Sequence, residues 1–143
     1  MPIRSAAMAA GTPAQQANAL MGTPILVTLS TDANAPSGTT QANSKAIPSD
    51  MMLLAGTSVG SGTGYVLPRG IDNASGGTIS PGDSFQVNNQ GGNAVLVYPN
   101  ASTGKVQGAG AGVGFSVANN KQAQFTYMGI VAGVETWAAD LSA

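Results

Sequence analysis

Glycine and proline interrupt this chain so often that its apolar residues fall into short runs. There are 20 glycines and 8 prolines among 143 residues, and no apolar run reaches the 18 or so residues of a membrane-spanning helix. In the C-terminal half these runs have the length and the β-branched content of strands. Short strands separated by Gly, Pro and Asn clusters predict an all-β fold, a small sandwich or barrel of short antiparallel strands.

The strand predictions follow from alternation and from turn signals. Phe85 and Val87 alternate with polar residues, which places them on one face of a strand. A cluster at 89–92 then separates that strand from an apolar run at 94–98, and this arrangement predicts a β-hairpin. No internal repeat of 20–50 residues is visible, which argues against a solenoid. The predicted strands are Tyr65–Leu67, Ser84–Asn88, Ala94–Tyr98, Lys105–Gln107, Phe115–Val117, Gln122–Tyr127 and Glu135–Ala139.

The aromatic residues divide the chain into two parts. All seven lie between Tyr65 and Trp137, and aromatic side chains bury the largest areas in a core. We therefore expect a β core over residues 59–143 and an N-terminal arm or accessory segment over residues 1–58. Within the arm, Thr12 is a predicted helix N-cap, so a short helix is expected at about 13–21. A strand is expected at about 25–30.

The composition argues against several kinds of chemistry. There is no His and no Cys, which removes the commonest general base and the thiolate nucleophiles and ligands. Only 8% of residues are charged, and the five basic residues are spread singly, so no nucleic-acid surface is expected. Neither a signal peptide nor a membrane segment is expected. We predict no catalytic residue, no metal ligand and no cofactor, and therefore a non-enzymatic protein.

Two glycine-rich runs and one serine motif resemble known sites without matching them. The run at 108–114 lacks the third glycine of a dinucleotide loop, because Val113 or Phe115 stands where it is required. The run at 56–64 has no lysine after it and is not a phosphate-binding loop. Ser102 and Lys105 have Ser-x-x-Lys spacing, but the companion motifs of a serine–lysine enzyme are absent. Tight turns explain the glycine runs better.

The acidic residues leave two alternatives open. Asp72, Asn73 and Asp83 offer oxygen ligands to a calcium ion, but their spacing is not that of an EF-hand, and a surface turn is the preferred interpretation. A small hydrolase that depends on carboxylates is the enzyme alternative, and its candidate residues are Asp72, Asp83 and Glu135.

Two apolar runs without aromatic residues are the predicted subunit interface. They lie in the N-terminal part of the chain, where charged residues are few. The predicted interface residues are Ile25, Leu26, Val27, Met51, Met52, Leu53 and Leu54.

From about residue 37 onward the chain resembles a family of small virion proteins of tailed bacteriophages, the head decoration or cement proteins. The most specific part is Gly-Asp-x-Phe-x-Val at 82–87, followed by Asn-Ala-Val-Leu-Val-Tyr-Pro at 93–99. The arm at 1–36 matches least. The stretches that carry the resemblance are 37–43, 62–68, 81–89, 91–100, 115–121 and 136–139.

The resemblance implies a homotrimer of β-barrels or sandwiches on the capsid surface, bound to the major capsid protein of a phage, with no catalytic residues. We therefore expect a non-enzymatic structural virion protein that binds the assembled coat lattice and stabilises the head by mass action. The first alternative is a phage tail or fibre component that binds host glycan. Exposed aromatics would favour it, and its candidates are Tyr65, Tyr98 and Trp137.

Overall fold

The computed structural model describes residues 29–30, 35–47, 53–56, 59–73 and 76–143, and for the strands at 29–30 and 53–56 it describes the backbone. Nearly all regular structure in these residues is β-strand. The strands are β1 (Leu29–Ser30), β2 (Lys45–Ala46), β3 (Leu53–Gly56), β4 (Gly64–Val66), β5 (Ser84–Asn89), β6 (Val95–Tyr98), β7 (Lys105–Val106), β8 (Phe115–Val117), β9 (Lys121–Val131) and β10 (Val134–Leu141), with one 3-10 turn at Gln41–Asn43. The predicted all-β class is confirmed at this level.

The strands form two mixed sheets. One has six strands in the order β1-β3-β5-β9-β10-β7, and the other has four in the order β2-β4-β6-β8. Five neighbouring pairs are parallel and three are antiparallel. The expectation of short antiparallel strands is therefore wrong for much of the fold, and β9 and β10 have 11 and 8 residues.

The parallel pairs arise because the chain changes sheet after nearly every strand. β1, β3 and β5 lie side by side in the six-stranded sheet, while β2, β4 and β6 lie side by side in the other. Up to β6, each return to a sheet adds a strand parallel to the previous one, whereas β8 and β9 pair antiparallel with β6 and β5.

The predicted hairpin between Ser84–Asn88 and Ala94–Tyr98 is wrong for the same reason. β5 pairs with β3 and β9, whereas β6 pairs with β4 and β8 in the other sheet. Asn89 holds the corner between them. Its side chain is 1% exposed, and its amide nitrogen donates to the carbonyl oxygens of Asn93 (2.7 Å) and Val117 (2.9 Å).

Side chains from both sheets form one buried cluster. Tyr65, Val95 and Val97 come from the four-stranded sheet, and Phe85 and Trp137 come from the six-stranded one. Ring contacts tie the cluster together within and between the sheets: Phe85 with Trp137, Tyr127 with Trp137, and Phe115 with Phe125. Ile47 and Val59 also belong to this core.

The predicted arm falls partly outside the described residues. The helix at about 13–21 and the start of the strand at about 25–30 lie there, and Leu29–Ser30 is the described part of that strand. β2 and β3 also precede residue 59. β2 pairs with β4 in the four-stranded sheet, and β3 pairs with β5 in the six-stranded sheet.

Candidate functional site

The outer surface of the six-stranded sheet is a regular surface built from β5, β9 and β10. Residues alternate along β5 between buried and half-buried, and the first six residues of β9 behave similarly. Because Phe85, Val87, Ala123 and Phe125 point into the core, their neighbours in the sequence point outward. We call this surface the polar face and define it as Ser84, Gln86, Asn88, Gln122, Gln124, Thr126, Thr136 and Ala138.

Cross-strand pairs organise the polar face. The register places Ser84 opposite Thr126, Gln86 opposite Gln124, and Asn88 opposite Gln122. The hydroxyl groups of Ser84 and Thr126 are hydrogen-bonded at 2.8 Å. These uncharged amides and hydroxyls on paired strands offer many hydrogen-bond donors and acceptors, and the charged Asp140 lies at the end of the same face, opposite Gln124.

Most of the predicted interface residues cannot be compared with the structure. Ile25, Leu26, Val27, Met51 and Met52 lie outside the described residues. Leu53 and Leu54 begin β3, and their backbones pair with Gln86 and Val87 of β5. The apolar run that contains them is therefore partly a sheet strand.

Two of the three candidate carboxylates of the hydrolase alternative come together. Asp72 and Glu135 line one cavity of about 360 Å³, together with Asn73, Thr103 and Ile130 among others. A register shift between Thr136 and Trp137 leaves Met128 unpaired, and Ile130 then lies opposite Glu135. Asp83 lies elsewhere, in a turn where its carboxylate accepts the backbone N–H of Ser80 at 2.8 Å.

Glu135 is 2% exposed, and its carboxylate accepts three N–H groups. One oxygen accepts the backbone N–H of Asn100 (2.7 Å) and the indole N–H of Trp137 (2.9 Å), and the other accepts the backbone N–H of Ala101 (3.1 Å). A buried carboxylate needs such donors, since burial removes its hydration. Glu135 thereby fastens β10 to the turn that follows β6 in the other sheet.

The turn after β6 forms further polar contacts. The side-chain amide of Gln41 donates to the carbonyl oxygens of Pro99 (2.7 Å) and Asn100 (3.1 Å). Asn100 itself donates to the carbonyl of Leu67 and accepts from the guanidinium of Arg69. The exposed Arg69 side chain thus binds an amide oxygen.

Asp72 is held by Tyr127. The phenol of Tyr127 donates to one oxygen of the Asp72 carboxylate, and the backbone N–H of Ile130 donates to the other at 3.0 Å. The Tyr127 hydrogen bond, with help from the backbone donors, lowers the pKa of Asp72. Burial, the same hydrogen bond and the nearby charges of Asp72 and Glu135 raise the pKa of Tyr127. Both shifts favour the ionised aspartate beside the protonated phenol.

The described residues do not bring Asp72 and Asp83 together around one calcium site. Asp72 and Asp83 bind different backbone groups, and no cluster of three or more His, Cys, Asp or Glu side chains occurs in the part of the chain that the structure covers. Within that same part, no helix is long and apolar enough to cross a membrane.

The aromatic candidates for glycan binding are inside the protein. Tyr65, Tyr98 and Trp137 are all buried. A sugar ring stacks on an exposed aromatic face, so these three side chains are not placed for that contact.

The sequence interpretation missed the amide side chains that hold the turns between strands, of which Asn89 joins the two sheets. Asn89, Asn93 and Asn100 looked like ordinary turn residues, because turn composition is all that their local sequence shows. Asn93 donates to the carbonyl of Val59 at 2.8 Å, and Asn89 is buried. One sequence signal did indicate the role of Asn89. This residue ends an alternating strand at a position where the two-residue period predicts a buried side chain.

Comparison with known proteins gives no relative. No protein family matches the chain, and no match was found among curated proteins or among solved structures.

Proposed function

We propose that this protein is a capsid decoration protein of a tailed phage, a non-enzymatic virion component that binds the assembled coat and stabilises the head. In this proposal it acts as a homotrimer on the capsid surface, with the major capsid protein as its partner and with the N-terminal arm contributing to the attachment. The two sheets are then the two layers of a small sandwich.

The polar face is the observation that carries the proposal. The centres of protein interfaces are depleted of charged residues, and the polar face on β5, β9 and β10 consists mostly of uncharged amides and hydroxyls, with the Asp140 carboxylate at one end of it. Such a surface forms hydrogen bonds whose strength changes little with salt. This property suits a contact that must persist on a particle in changing surroundings.

The resemblance to decoration proteins adds independent support. Its most specific segments, 82–87 and 93–99, contribute Phe85 and Val87 to one sheet and Val95 and Val97 to the other. These segments therefore provide the centre of the core, which is where a shared fold would be expected to share sequence.

The test uses particles of the phage that encodes this chain. Copy number per purified virion is measured by quantitative mass spectrometry, and the temperature at which the heads release DNA is compared between wild-type particles and particles from a gene deletion. We expect hundreds of copies per head and a lower rupture temperature without the protein. Re-addition of the purified protein to the deficient heads should restore the wild-type temperature.

Three results would overturn the proposal. They are absence of the chain from particles, a copy number of a few to tens (the number expected of a tail component), and an unchanged rupture temperature. Sedimentation equilibrium of the purified chain tests the trimer separately.

A further inference from the structure

One side of β10 has backbone groups beside which the described part of the chain places no strand. Ser142 donates its backbone N–H to the carbonyl of Gln122, and Tyr127 donates its own to the carbonyl of Asp83 on the β5 side. In an antiparallel ladder the bonding residues alternate. Residues 138 and 140 therefore bond to β9, while the N–H and C=O groups of Ala139 and Leu141 point the other way.

β7 covers only the first part of that side. It pairs with Thr136 and Trp137, and its last ladder bond runs from the backbone N–H of Gln107 to the carbonyl of Trp137 at 2.8 Å. The chain then turns away at 107–109. Among the described residues, no backbone hydrogen bond reaches Ala139 or Leu141 from this side.

A largely apolar groove lies where β7 stops. It has a volume of about 380 Å³ and is lined by Lys105, Gln107, Gly108, Met128, Thr136 and Ala138 among others. Met128, the unpaired residue at the register shift, is 52% exposed and forms one wall. The groove therefore lies on the polar face directly beside the uncovered stretch of β10.

A sheet can accept an added strand where unpaired backbone N–H and C=O groups lie beside an apolar groove. The backbone groups give affinity, and pockets for alternate side chains give specificity. Asp140 is exposed between the two outward-bonding residues, on the same surface as the groove. An added strand would thus meet one apolar contact and one carboxylate, two residues apart along β10.

Asp140 also argues against a second copy of this edge as the occupant. Two β10 strands paired about a two-fold axis at residue 140 would place the two Asp140 carboxylates opposite each other, and like charges in that position are destabilising. A strand with a basic side chain at the matching position would be attracted instead.

We propose that the edge of β10 at 138–141 binds an extended segment of a partner protein. The segment carries an aliphatic side chain for the groove and a Lys or Arg two residues away for Asp140. This inference goes beyond the proposed function, because it concerns strand recognition by this edge whichever particle or protein supplies the segment.

The test titrates the full chain with the peptide Ser-Val-Thr-Lys-Thr-Val-Ser, which presents the aliphatic–basic pair in both strand directions. Binding is followed by backbone amide NMR. We expect saturable shifts confined to the β7 turn and residues 138–141, and at least about five-fold weaker binding when Glu replaces the peptide Lys.

Two protein variants sharpen the test. Ala139→Pro removes an N–H that points away from β9, so the fold should keep its melting temperature while peptide binding falls at least about ten-fold. Asp140→Lys should reverse the preference between the Lys and Glu peptides. This variant still tests the inference if the proline variant folds poorly.

Equal binding by wild type and Ala139→Pro, shifts located elsewhere, or no binding at millimolar peptide would overturn the inference. If Ala139→Pro abolishes self-association instead, the occupant is a second copy and the partner assignment is wrong. If Ala139→Pro attached normally to phage heads but the peptide test failed, the edge inference would be wrong and the proposed function would stand.

Discussion

At the scale of single residues, Glu135 and Tyr127 are two of the buried side chains that form hydrogen bonds. Each joins parts of the chain that are distant in sequence: Glu135 reaches the turn at 100–101, and Tyr127 reaches Asp72. Their roles come from three-dimensional placement. In the sequence, Glu135 was a candidate catalytic carboxylate and Tyr127 one aromatic among seven, and nothing in their local sequence shows these partners.

Glu135→Gln is expected to destabilise the fold without changing its shape. The amide group puts an NH2 where one oxygen now accepts an N–H, so at least one buried donor loses its acceptor. We expect the free energy of unfolding to fall by about 1–3 kcal/mol, measured by urea denaturation.

Asp140→Asn is the matched control for that variant, because Asp140 is an exposed carboxylate on the same strand. It should change the free energy of unfolding by less than about 0.5 kcal/mol. A Glu135→Gln protein as stable as wild type would show that the three bonds contribute little.

Asp72→Asn is expected to remove part of the acid sensitivity of the fold. The folded-state pKa of Asp72 is lowered below its ordinary value, so the ionised carboxylate stabilises the protein above the unfolded-state pKa of about 3.9. That stability is lost as the pH falls through the folded-state pKa. The variant should therefore show a shallower loss of stability below about pH 4.

The measurement for Asp72 is urea denaturation at a series of pH values between 2 and 7. Asp83→Asn, which removes a carboxylate that does not contact Tyr127, is the comparison variant. Identical pH profiles for wild type and Asp72→Asn would contradict the prediction.

At the scale of elements, the fold depends on close approaches that only glycine permits. A Cβ at Gly70 would lie 2.2 Å from the phenol oxygen of Tyr127, so the loop after β4 packs directly against the side chain that binds Asp72. The isolated bridge between Gly70 and Ile79 holds that loop in place. Sequence periodicity predicted β5, β8 and β10 to within two residues at each end, whereas the predicted strand Gln122–Tyr127 stops four residues before the end of β9. It could not give this contact.

Gly70→Ala is expected to lower the free energy of unfolding by about 1–3 kcal/mol, because the added methyl group overlaps the Tyr127 ring. Gly110→Ala is its control, since a Cβ there meets no atom closer than the flexible Val113 side chain at 3.3 Å. Chemical denaturation measures both. Equal stability of the two variants would mean that the loop at 69–73 shifts at no cost.

At the scale of the whole molecule, the low charge bears on how the proposed trimer would associate. Charged residues are 8% of the chain and the net charge is −1, while the polar face carries amides and hydroxyls. Long-range electrostatic terms are therefore small, and screening has little to act on.

Self-association should consequently be almost independent of salt. Between 50 and 500 mM NaCl we expect the association constant of the proposed trimer to change by less than about three-fold, as measured by sedimentation equilibrium. A steep dependence on salt would show that a few charged pairs, and not the neutral surface, hold the subunits together.

The sequence by itself determined the all-β class, the positions of most strands after residue 80 and the aromatic core, because alternation and turn residues are local signals. The tertiary structure alone decided which strands are neighbours. Pairing of β5 with β9 and of β6 with β8 joins residues far apart in the chain, and the predicted hairpin failed because the turn at 89–93 is a corner between sheets. The meeting of Asp72 with Tyr127, the anchoring of Glu135 and the edge of β10 that no described strand covers likewise depend on long-range packing, which no local pattern encodes.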